Sequence, residues 1–124
     1  MAHLATDLAV TLPEDRPGML AKAINALSSA GINIEGYAEI EGLVHLLTVN
    51  AAETKEALDK SGFRIVREQQ VVIVPVEDRP GSAAAIFQRI GEAKVNMRFS
   101  YLATRNRLVV GADDAAAVVK ALRD

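Results

Sequence analysis

The pentapeptide Glu-Asp-Arg-Pro-Gly occurs twice in these 124 residues, at positions 14–18 and again at 77–81. The same 63-residue offset lays Gly31-Ile32-Asn33 on Lys94-Val95-Asn96, Ile24 on Phe87, Leu27 on Ile90 and Ala30 on Ala93. A motif, a helix face and a distant asparagine held in one register indicate an internal duplication. A chain of this length fits one ordinary domain or two small ones. The repeat selects two, residues 1–68 and 69–124.

Both copies carry the same order of local signals. Residues 7–12 alternate Leu8, Val10 and Leu12 with other side chains, the period of a strand; residues 71–76 are the more uniformly apolar counterpart. The Asp-Arg-Pro-Gly turn follows, then a helix with Pro17 expected in its first turn. Met19, Leu20, Ala23, Ile24, Leu27 and Ala30 form its apolar stripe, and Gly31 ends it. The second copy repeats this over residues 80–93. A second strand is expected over residues 32–40 and a third over 43–49, joined by Glu41-Gly42; the counterparts are 95–103 and 108–112. Asn50 with Glu53 reads as a capping box, and residues 63–67 as a closing strand. One unit is therefore βαββαβ, an α+β architecture with an antiparallel sheet and helices on one face. The second copy runs out at Asp124 just after its second helix. Its last strand is missing, to be supplied by residues 1–6, by another chain, or not at all.

Composition removes several classes of function. There is no cysteine and no tryptophan, and half of the residues are hydrophobic. Disulfides and thiolate chemistry are excluded, and the core must be aliphatic. No apolar run approaches the roughly 18 residues of a membrane span, and the first residues lack a signal-peptide pattern. The expectation is a cytoplasmic protein with no membrane partner. The two histidines, His3 and His45, make a poor zinc set without cysteine. No glycine-rich phosphate motif is present, so neither metal nor cofactor is expected. His45, in a mostly apolar strand, reads as a tolerated strand residue rather than a catalytic base. The strands at residues 7–12, 43–49, 71–76 and 108–112 carry no aromatic residue on which a base could stack, which argues against nucleic acid.

The repeated turn has its own chemistry. A strand runs into a tight loop and then a helix N-terminus, where unpaired backbone N–H groups favour an anion such as a ligand carboxylate. Gly18 and Gly81 permit close approach. Asp15 and Asp78 can accept from an ammonium; Arg16 and Arg79 can pair with a carboxylate. The competing reading makes the aspartates helix caps and the arginines solvated. Asn33 and Asn96, each placed at the start of the strand after its helix, offer donors and an acceptor to the same end of the unit.

On these residues the chain resembles the ACT domain, a small-molecule-binding regulatory module, in two tandem copies that cover nearly all of it. The segment 8–34, with its strand, Asp-Arg-Pro-Gly, helix and Gly-Ile-Asn-Ile, carries the likeness in the first copy. Residues 72–99, with Asp-Arg-Pro-Gly-Ser-Ala-Ala-Ala-Ile-Phe and Val-Asn-Met, are similar to the regulatory repeats of aspartate kinases. The resemblance implies a ferredoxin-like fold and no catalysis. It implies an amino-acid ligand between modules, homo-oligomerisation as a homodimer, and allosteric control of a metabolic enzyme. The implied ligand-binding positions are Asp15, Arg16, Gly18, Met19, Leu20, Asn33 and Ile34 in the first copy. In the second they are Asp78, Arg79, Gly81, Ser82, Ala83, Asn96 and Met97. Where some serine-binding members have histidine two residues before the aspartate, this chain has Pro13 and Val76. The alternative is a structural adaptor that binds no ligand.

The formal net charge of −2 conceals an asymmetry. Residues 1–63 carry 4 basic and 9 acidic side chains, and residues 64–124 carry 10 and 7. The first copy is acidic and the second basic.

Overall fold

Helix ends show how locally the sequence dictates structure. The first helix, α1 (Met19–Ser29), closes on Ala30. Gly31 then turns left-handed at φ 74°. Its N–H donates to Ser28 O (3.0 Å), and that of Ile32 to Leu27 O (3.0 Å). This paired arrangement satisfies carbonyls that would otherwise be orphaned, and glycine adopts it without a Cβ penalty. The corresponding helix of the second copy, α3 (Ser82–Glu92), stops the same way. Lys94 donates to Gly91 O and Val95 to Ile90 O. There, however, Lys94 must itself take φ 60°. Asn50 caps α2 (Ala51–Lys60) through Glu53 N–H, as the box predicts, and Asp114 caps α4 (Ala115–Ala121) through Ala117 N–H.

The computed structural model describes residues 1–123. These contain the four helices and six strands, β1 (His3–Thr11), β2 (Gly36–Ile40), β3 (Leu43–Leu47), β4 (Arg64–Pro75), β5 (Met97–Ala103) and β6 (Arg107–Ala112). The class is α+β. The chain divides into two compact units. One is residues 6–69; the other is residues 1–5 together with the chain from Gln70 onward.

In the first unit β3 is flanked by antiparallel β1 (Val10 opposite Val44) and β2 (Ala38 opposite His45). Its core joins Val10, Val44 and Leu46 of the strands to Met19, Ala23 and Leu27 of α1, Leu58 of α2 and Phe63. In the second unit β6 is flanked by antiparallel β4 (Ile73 opposite Val109) and β5 (Phe99 opposite Gly111). Val72, Val74, Leu108 and Val110 pack on Ile90, Val118 and Leu122. These cores are aliphatic apart from Phe63 and the half-buried Phe87. Fully burying one such side chain contributes about 1.5–3 kcal/mol, so the spacing of apolar residues settles which face of each helix is inward.

One open alternative is decided, and the expected strand bounds are corrected. The gap at the end of the second copy is filled from the N-terminus. β1 begins at His3 rather than residue 7, and residues 1–5 belong with the second unit, whose core Ala2 covers. β4 runs unbroken through positions 68–69, where the sequence divides the copies. β2 and β5 begin at Gly36 and Met97, later than residues 32 and 95, because the C-terminal turns of α1 and α3 occupy Ile32 and Val95. Ile40 is 71% exposed at the end of β2, while Ile32 and Ile34 pack on the core.

Candidate functional site

The two copies of Glu-Asp-Arg-Pro-Gly end in the same backbone turn. Gly18 (φ 89°, ψ −8°) and Gly81 (φ 90°, ψ −17°) are both left-handed and both precede the first helical residue. Met19 N–H donates to Arg16 O (3.4 Å) and Ser82 N–H to Arg79 O (3.3 Å). Lys22 N–H reaches Gly18 O and Ala85 N–H reaches Gly81 O, opening each helix. Helix α1 therefore starts two residues after Pro17, not at it. Neither aspartate is the cap: no side chain caps α1 or α3.

Each motif arginine is engaged within its own loop. Arg16 Nε pairs with Glu14, and Arg79 Nε with Glu77 Oε2 at 3.1 Å. All four side chains are more than half exposed, and such pairs are worth about 0–1 kcal/mol. They are easily exchanged for a ligand group.

In the first unit the loop borders a cavity of about 810 Å³. Asp15, Arg16, Gly18, Met19 and Leu20 line it, with Glu39, Glu41, Gly42 and Leu43 from the β2–β3 hairpin opposite. Four carboxylates (Glu14, Asp15, Glu39 and Glu41) face it against one guanidinium. In the second unit the equivalent cavity is about 350 Å³ and is lined by Asp78, Arg79 and Ala83, with Leu102, Ala103 and Asn106 across from them. At the 63-residue offset Leu102 replaces Glu39, so the second cavity is smaller and less acidic. Gly81 and Ser82 are the cap and first residue of α3.

The asparagines are not brought to these cavities. Asn33 lies before β2 and its Nδ2 donates to Glu35 Oε2 at 3.0 Å. Ile34 packs on the first core. Asn96 lines a separate hollow of about 430 Å³ with Lys94, Asp113 and Asp114, and its carbonyl accepts from Asp113 N–H. Met97 packs on the second core. Beside that hollow Arg98 Nε bonds to Asp113 Oδ1, and this contact holds the guanidinium protonated even above its usual range.

Two features escaped the sequence reading. One is the contribution of the β2–β3 hairpin to the first cavity, whose signal was the acidic run Glu39-Ile40-Glu41 at a turn. The other is a pair between the strands β1 and β3: His45 Nδ1 lies 2.8 Å from Asp7 Oδ2, with the Asp7 side chain fully buried. Both residues interrupt otherwise apolar strands, which was the available signal. His45 is thus an ordered partner of a buried carboxylate. Among the described residues, no cluster of three or more histidines or carboxylates is placed to hold a metal ion, and no helix is long and apolar enough to cross a membrane.

No protein-family model matches the chain, and no curated protein matches it in sequence. Solved structures do match. A Bacteroides thetaiotaomicron protein superimposes with TM-score 0.85 at 20% identity, over 98% of this chain and 88% of that one. The regulatory subunit of aspartate kinase from Thermus thermophilus gives 0.65 at 22% identity, over 98% and 97%. That from Thermus flavus gives 0.64 at 19%, over 98% and 92%. The fold is that of these aspartate kinase regulatory subunits. It extends over nearly the whole of this chain, as the resemblance of residues 8–34 and 72–99 led us to expect.

Proposed function

We propose that this chain is a non-catalytic, allosteric regulatory protein of two ferredoxin-like ACT units, dividing near 68–69 with residues 1–5 added to the second, that binds a free amino acid. The observation that carries this reading is the repeated loop: two copies that close on the same turn, each ending in a left-handed glycine at a helix start and each bordering a cavity. The first turn of a helix leaves N–H groups without intrahelical acceptors, which suits the ligand carboxylate. The carboxylates of the first cavity suit its ammonium. Asp15, Arg16, Gly18, Met19 and Leu20 form the contact surface in the first unit, and Asp78, Arg79, Gly81, Ser82 and Ala83 in the second. Asn33, Ile34, Asn96 and Met97 complete the proposed set, although the two asparagines stand apart from the loop cavities. Homodimerisation and a metabolic enzyme as the regulated partner belong to the same reading.

A structural adaptor that binds no ligand is the second reading. It is favoured by the Arg16–Glu14 and Arg79–Glu77 pairs, which already satisfy the arginines, and by the separation of the asparagines from the loop cavities. Thermal unfolding in the presence of each of the twenty amino acids distinguishes the two. A ligand at 100 times its Kd stabilises by about 2.7 kcal/mol, a shift of several degrees. Such a shift that disappears in Asp15→Ala supports the sensor. Unchanged melting with all twenty, together with stable association with an enzyme, supports the adaptor.

A further inference from the structure

We draw no further inference here: the strongest candidate, the carboxylate-lined cavity between the β1–α1 loop and the β2–β3 hairpin, belongs to the site already described.

Discussion

Replacing Gly111 by alanine tests the packing of the second unit at one atom. Gly111 is buried in β6 directly opposite Phe99 of β5. A Cβ there would sit 2.7 Å from Phe99 Cε1 and closer still to Cζ and Cε2. Ordinary carbon contacts are about 3.5–4.0 Å, so the ring must retreat by about 1 Å. It cannot do so freely, because Phe99 stacks on the buried Tyr101 with centroids 6.1 Å apart and planes 7° from parallel. Overpacking of this kind costs about 1–3 kcal/mol, while losing the backbone freedom of glycine returns about 0.4–1 kcal/mol. The net expectation for Gly111→Ala is a loss of about 1–2 kcal/mol in urea unfolding with an unchanged m-value. Gly91→Ala in α3 is the internal control. Its Cβ meets nothing within 4 Å, so helix propensity alone should stabilise by about 0.5–1 kcal/mol. Combining Gly111→Ala with Phe99→Ala should cost clearly less than the two losses added together. A Gly111→Ala protein as stable as wild type, beside a control that behaves as expected, would refute the argument.

Other substitutions probe the loop, a helix end and the buried pair. Gly18→Ala and Gly81→Ala each force a Cβ into φ near +90° with no neighbour in the way. Each should cost about 1–2 kcal/mol by chemical denaturation, and unequal costs would contradict the matched backbones. Lys94→Gly should stabilise, by up to about 1 kcal/mol, because Lys94 holds a left-handed position that its counterpart Gly31 occupies without strain; a drop in melting temperature would refute this. Asp7→Ala leaves His45 facing a void where a fully buried carboxylate stood. Losing a hydrogen bond in a buried setting costs about 1–3 kcal/mol, and the Asp7→Ala/His45→Ala double variant should lose less than the two single losses combined. Strict additivity in that cycle would show that the two side chains are not coupled.

The resemblance in the motif pointed to the correct fold because the motif's information is local. Asp-Arg-Pro-Gly specifies a loop and a helix start within five residues, and its glycine takes nearly the same dihedral angles both times. The site was only partly legible. Asp15, Arg16 and Gly18 border a cavity as expected. The facing wall, Glu39 to Leu43, comes from a hairpin some twenty residues away, and nothing in its sequence states that it folds back beside the loop. Asn33 and Asn96 were assigned to the same end of the unit by assuming that the strand begins immediately after the helix. The three-residue turn that ends α1 moves Asn33 off that strand.

By itself the sequence determined the duplication, the helix faces and the cap at Asn50, since each depends on neighbours a few residues apart or on a repeated register. Tertiary structure alone decided that residues 1–5 complete the second unit, that β4 runs unbroken through the expected boundary, and that Asp7 meets His45. Such matters turn on which segments, far apart in the chain, can jointly bury apolar surface and satisfy backbone hydrogen bonds. That choice is made among all segments at once, and no one segment read alone fixes it.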